Sequence, residues 1–256
     1  MKLQGIDVSR HNGAVDWEKA ARAGIRFAIL RAAYGKSGVD DRFDENYQGA
    51  RRAGLLVGAY HYSYALTPAD ARREAQHLLA VLNGRALDQP VWFDMEAADG
   101  YKKKHGFPFT KRNVSAITQA FVDEIRASGR LCGVYASKSW LTDYIKVDAD
   151  AVWVAQWADT LTYNGQYDVW QYTDAGRVDG VTGKVDRNVC RTAWKKEEKK
   201  MAVYRYPKDV PEWGRATVDK LISRGLLRPE PDGRVDLSHD LVRALVINDR
   251  AGVYDA

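Results

Sequence analysis

From residue 3 to about residue 190, short apolar runs alternate with stretches whose apolar residues recur every three or four positions. The runs predict eight strands, at 3–9, 26–33, 55–64, 90–97, 131–137, 151–158, 167–173 and 184–189. The amphipathic stretches predict helices over 16–23, 43–53, 68–82 and 114–128. Gly24, Gly54, Gly84 and Gly129 stand at their ends, where a helix stop favours left-handed backbone. Strand–helix–strand alternation implies right-handed crossovers and a parallel sheet, and eight strands imply closure. Beyond about residue 145 the connections are too short and too rich in Gly and Asp for full helices. The expected fold is α/β, a (β/α)-barrel that is regular in its first half and irregular in its last three strands.

The pattern changes at residues 194–201, "WKKEEKKM", a charge run with no apolar face, read as solvated. The expected organisation is a barrel over 1–192, a charged linker over 193–203 and a small two-helix domain over 204–256. In that domain one helix, from residue 211 to 223, would place Trp213, Ala216 and Leu221 on one side. A second, capped by Ser238, would bury Leu241, Val242, Leu245 and Val246. Two helices alone bury little surface. The unit is therefore expected to pack on the barrel or to assemble with copies of itself.

Composition narrows the function classes. At 256 residues, 45% hydrophobic and 29% charged, the chain is an ordinary globular one. No run approaches the roughly 18 apolar residues of a membrane span. Zinc-finger spacing, RNP-like motifs and dense basic helices are absent, so neither membrane nor nucleic acid is an expected partner. The net charge of +5 suits solubility or an anionic polymer. Cys132 and Cys190 match no metal or redox spacing and are expected as buried free thiols. The opening "MKLQGIDVSR" enters strand-like sequence at once, from which cytoplasmic synthesis is expected.

The chemistry centres on "VWFDME", residues 91–96. Alternation along a strand puts Val91, Phe93 and Met95 on one face and Trp92, Asp94 and Glu96 on the other. Like-facing neighbours lie about 6.6–7 Å apart along the chain. Two carboxylates this close push one pKa up, which provides an acid beside a charged group. In "QGIDVSRHNG" the same alternation turns Gly5, Asp7 and Ser9 inward, and in "GKVDRNV" it turns Asp186 and Asn188 inward. Three strands thus deliver acids to the C-terminal mouth, where barrels build active sites. Tyr60, Tyr62, Tyr64, Trp153, Trp157, Trp170 and Tyr172 are expected to supply flat rings for a sugar groove. His11 and His61 have no partner spacing for a metal; hydrogen-bonding roles are expected, with no metal or cofactor.

Five segments, "GIDVSRHNGAVDW", "GAYHYS", "WFDME", "VWVAQW" and "VWQYTDAGRVDGVTGKVDRN", resemble glycoside hydrolase family 25, the lysozyme-type muramidases of phages and bacteria. The likeness covers residues 3–192 in order. It implies an irregular barrel of five helices and eight strands that cleaves the β-1,4 bond between N-acetylmuramic acid and N-acetylglucosamine in peptidoglycan. It further implies Glu96 as general acid/base, Asp94 as its partner and Asp7 and Asp186 as flanking acids. Tyr60, Tyr62, Tyr34, Trp157, Gln171 and Tyr172 would contact substrate. "RAAYG", residues 31–35, replaces a Lys/Glu-bearing segment common in the family, so Tyr34 stands where an acid is usual. A protein nucleophile needs carboxyls about 5–5.5 Å apart on opposite sides of the bond. Asp94 and Glu96 project side by side, which favours attack by the substrate's own acetamide over attack by an Asp. A chitinase-like glycosidase or a non-catalytic wall-glycan binder are the alternatives. Residues 204–256 are similar to a single S-layer homology motif, implying a secondary wall polymer or homo-oligomerisation. As with a phage endolysin, the protein would reach the wall when the membrane is breached.

Overall fold

The computed structural model describes residues 2–192, 194 and 203–254. It divides into compact units over residues 1–197 and 198–256. The first contains β1 (Leu3–Val8), α1 (Trp17–Arg22), β2 (Phe27–Tyr34), β3 (Gly38–Val39), α2 (Phe43–Arg52), β4 (Leu56–Tyr62) and α3 (Pro68–Leu82). There follow β5 (Val91–Asp94), α4 (Tyr101–Lys104), α5 (Lys111–Ala127), β6 (Cys132–Ser137), α6 (Lys138–Asp143), β7 (Ala151–Ala155), β8 (Val169–Gly176) and β9 (Val185–Cys190).

Eight strands run β1-β9-β8-β7-β6-β5-β4-β2, and β2 pairs back onto β1 to close the barrel; β3 adds a short ribbon to β2. Pairing is parallel from β1 through β2 and β4 to β8. It turns antiparallel at β8–β9 and β9–β1. Only eight residues join β8 to β9, fewer than the dozen or so a parallel crossover needs. The expected irregular barrel is the observed one, and its irregularity is this reversal.

Strand alternation sorts the core into two clusters. Ile6, Val8, Val57, Ala59, Val91, Phe93, Met95 and Val134 face the helices, and Phe93 stacks on Phe121 of α5 at 4.3 Å. Phe27, Ile29, Trp92, Tyr135, Trp153 and Val169 fill the barrel interior. Trp92 and Trp153 meet edge-on at 5.7 Å. Glycines make room for these rings. A Cβ on Gly133 would stand 2.4 Å from the Trp92 ring, and one on Gly5 would stand 2.4 Å from Phe27. Trp194, read above as the start of the charge run, packs on Trp92 at 5.8 Å and belongs to this interior. The rest of the linker, apart from Val203, lies outside the described residues. Cys132 and Cys190 are both buried and free.

The second unit pairs β10 (Val203–Tyr204) with β11 (Leu237–Ser238) and packs α7 (Glu212–Ser223) on α8 (His239–Arg250). Ser238 caps α8 by accepting from the Leu241 amide. Its core is Val210, Val218, Leu237, Val242 and Val246. Leu241, expected to be buried, faces solvent instead, and so do Trp213 and Ala216, expected to share one side of the first helix with the buried Leu221. The helices meet at Gly214, where a Cβ would stand 2.6 Å from Val242. That close approach rotates α7 to bury Thr217, Val218 and Leu221.

Candidate active site

The acids gather at one mouth of the barrel: Asp7 and Asp94 near the C-terminal ends of β1 and β5, and Asp186 at the N-terminal end of the antiparallel β9. Asp7 lies opposite Asp186 across the β1–β9 pair. Tyr62, Asp94 and Tyr135 stand in one row across β4, β5 and β6. β5 itself ends at Asp94, but the Met95 amide still donates to the Tyr135 carbonyl at 3.1 Å. The extended path continues for one more residue, so Glu96 follows Asp94 at the mouth.

Asp7 is held by a buried polar network. Its Oδ2 accepts from Asn188 Nδ2 at 2.7 Å and from Gln171 Nε2 at 3.0 Å. Gln171 Oε1 in turn accepts from Tyr135 Oη at 2.9 Å and from Trp157 Nε1 at 3.1 Å. Asn188 Oδ1 accepts from Trp153 Nε1 at 2.8 Å. Burial raises the Asp7 carboxyl to about 6 against these hydrogen bonds. Burial and the nearby Asp7 raise Asp186 to about 8. The two carboxyls share a hydrogen bond, so the pair holds on to a proton more firmly than an isolated acid does.

This pair has a sign that can be tested. A carboxyl whose pKa is raised on folding favours the native state below its unfolded pKa, and that contribution is lost as pH rises through the folded value. For Asp186 the window runs from its ordinary 3.8 to about 8. Asp186→Asn is expected to melt several degrees above the unsubstituted protein at pH 8 and to show no such advantage at pH 4. Thermal melts at the two pH values check this; a gain at pH 4 equal to that at pH 8 contradicts it.

Asp94 is 5% exposed, and its Oδ1 is buried with no hydrogen-bond partner. Burial, then the neighbouring Glu96, lifts its pKa well above the ordinary carboxylate range. Glu96 is raised by burial and steadied by a hydrogen bond from Tyr62. The phenol of Tyr60 is raised by burial and by the charges of Asp7 and Asp94, which places it among the acids.

Rim positions differ in what they can touch. Tyr34 lies between the guanidinium groups of Arg10, at 5.6 Å, and Arg31, at 5.5 Å. A hollow of about 230 Å³ runs past it, lined also by His11, Tyr62, Tyr64 and Asp99. Trp157, 59% exposed, stands beyond the end of β7. Tyr172 does not join the acids. Gln171 points inward, so its neighbour points outward, and the Tyr172 hydroxyl bonds to Gln4 on the outer face of β1. Trp170 shares that outer face, packed beside Tyr172. His61 also lies outside the cluster, buried under the helices 3.5 Å from Glu74.

Two participants were not singled out from the sequence. Arg31 pairs with the buried Asp40 at 2.8 Å. Lys102 is 1% exposed and bonds to the Ser63 carbonyl. It sits in a run of three lysines, a pattern that reads as solvated surface.

Residues 6–181 match the glycosyl hydrolases family 25. Lysozyme M1 of Streptomyces globisporus is 29% identical over 203 residues, covering 73% of this chain and 67% of that protein. The bacterial lysozyme from Streptomyces coelicolor superposes with a TM-score of 0.62 at 27% identity, over 74% of this chain and 92% of that one. The CTP1L endolysin, at 20% identity, shares the fold over 98% of this chain and 99% of its own, with a TM-score of 0.64. With an acid-lined barrel mouth and these matches over the same segment, the chain belongs to glycosyl hydrolase family 25 and is a glycoside hydrolase of the lysozyme type.

Proposed function

We propose that the barrel cleaves the β-1,4 bond between N-acetylmuramic acid and N-acetylglucosamine in peptidoglycan with the acetamide of the substrate as nucleophile. Glu96 protonates the leaving oxygen while the acetamide oxygen attacks the anomeric carbon and the glycosidic bond breaks. Asp94 accepts from the acetamide N–H. Glu96, now ionised, then takes a proton from the water that opens the cyclic intermediate, so the configuration is retained. The observation that carries this reading is the Asp94–Glu96 pair. Its buried member has an unpartnered oxygen for an amide N–H, and Glu96 follows at the mouth beside Tyr62.

Asp7, hydrogen-bonded to Asp186, supplies the negative charge that an oxocarbenium-like transition state requires, with Tyr60 against the reacting sugar. Tyr34, Tyr62 and Trp157 offer ring faces at the rim. Gln171 bonds to Asp7, Tyr135 and Trp157 and so positions Asp7. Peptidoglycan digested with the pure protein is expected to show new reducing muramic-acid ends by mass analysis, with chitin left intact. Reducing N-acetylglucosamine ends, or faster release from chitin, would favour a chitinase-like enzyme.

For residues 204–256 the proposal is assembly of chains or attachment to a secondary wall polymer. Leu226, Leu241, Ile247 and Val253 are exposed there although the unit has its own core. Grouping such units gives multivalent wall contact. Light scattering should find the full chain larger than its monomer mass and a 1–203 truncation monomeric, or pull-down should find the truncation weaker on walls. Two monomers with equal wall binding would exclude both roles.

A further inference from the structure

A buried ammonium sits on the Ser63 carbonyl, just past the end of β4, in the field of four carboxyl groups. Lys102 lies on α4, whose first residue follows Gly100 in left-handed backbone at φ 73°. Its neighbours Lys103 and Lys104 are exposed, while its own side chain is 1% exposed and reaches the Ser63 carbonyl. Ser63 is tied to the acidic strand, because its amide donates to the Asp94 carbonyl at 3.1 Å. It is also tied to α3, because its hydroxyl donates to Glu74 Oε2 at 2.7 Å. Glu74 Oε1 accepts from the Tyr64 amide at 2.9 Å, so this buried carboxylate is anchored by the same turn. The charged or titratable groups around the ammonium are Glu74 from α3, Asp94 and Glu96 from β5 and its extension, Asp99 from the next loop and His61 from β4.

A buried lysine is costly unless its charge is used. The ammonium's hydrogen bond goes to the Ser63 carbonyl, and Ser63 is bonded to the Asp94 main chain, so the charge is held one residue away from the acidic strand.

We propose that Lys102 is a positioning residue for the reaction: its fixed positive charge keeps the Asp94–Glu96 pair at one shared proton, so that one member is an anion while the other is an acid. Without it, burial, mutual repulsion, Asp7 and Asp99 would favour protons on both carboxyls, opposed only by Arg31 at Asp94 and the Tyr62 hydroxyl at Glu96. The direction agrees with the local field. Lys102 lowers both Asp94 and Glu96 against the burial that raises them. In return, Glu74, Asp94, Asp99 and Glu96 oppose the burial that lowers Lys102.

This inference rests on the roles given above to Asp94 and Glu96, and the test separates the two. The pH profile of kcat/KM is measured on soluble peptidoglycan fragments for the full chain and for Lys102→Met, Lys102→Arg and Glu96→Gln. Lys102→Met is expected to move the acid limb up by about one pH unit or more, with activity at the old limb down about tenfold. Lys102→Arg should hold the limb near its original place. A folded Lys102→Met with its limb unmoved overturns the inference while an inactive Glu96→Gln leaves the acid assignment standing. An active Glu96→Gln overturns both. Where Lys102→Met does not fold, Lys102→Met/Glu74→Gln removes both buried charges together and is read against Glu74→Gln alone, with the same upward shift expected. If neither neutral variant folds, Lys102 is a requirement of the fold, and the inference fails.

Discussion

Glu96→Gln is expected to retain the native fold and to lose at least about 100-fold in peptidoglycan lysis, the usual scale of general acid catalysis. The substitution keeps the size of the side chain and its hydrogen bonding to Tyr62. What it removes is the dissociable proton. An amide cannot hand a proton to a departing sugar oxygen, nor take one from water in the second step. Glycan binding should survive, because the rim residues Tyr34, Tyr62 and Trp157 are untouched. Turbidity clearing, wall pull-down and circular dichroism measured together distinguish lost chemistry from lost fold. Asp94→Asn should be severe as well, with binding again retained. Near-normal clearing by a folded Glu96→Gln protein would remove Glu96 from the acid role.

Trp92→Ala carries the largest expected loss of stability, about 3–5 kcal/mol, as for large-to-small changes at fully buried aromatic residues. Trp92 is 0% exposed and sits between Trp153 and Trp194 in the barrel interior. A closed barrel is held at a set diameter by strand pairing around its whole circumference, so its walls cannot move in to fill the space. The facing Gly133 has no side chain to extend into it. Urea denaturation should show a lower midpoint with little change in slope. A cost below about 1 kcal/mol would mean that the interior relaxes far more than a closed sheet allows. Activity should fall too, because Asp94 is two residues along the same strand face.

The inward set on β5 was legible because the period of two is a property of extended backbone. Trp92 and Asp94 face in, Phe93 and Met95 face out, and no tertiary contact was needed to say so. The same rule placed Asp7, Asp186 and Asn188 inside. It also sets Tyr172 apart from the acids: Gln171 and Tyr172 are consecutive, so only one can face inward, and it is Gln171 that bonds to Asp7. In the C-terminal unit the helical period was right but the rotation was not. Gly214 reads in sequence as a weak helix residue, whereas in the fold it leaves the room that the Val242 side chain of α8 occupies.

The sequence by itself determined the barrel, the face each strand turns inward and the identity of the acids, because these follow from local backbone geometry and the spacing of apolar residues. Only the tertiary structure decided which distant groups meet. Asp7 and Asn188, separated by 181 positions, share a hydrogen bond because the barrel closes. The antiparallel last strands follow from connections too short to cross over. Lys102 is buried with its ammonium on the Ser63 carbonyl, a partner 39 positions away. Burial, field and partner are properties of the assembled fold, and they set the proton affinities on which the chemistry depends.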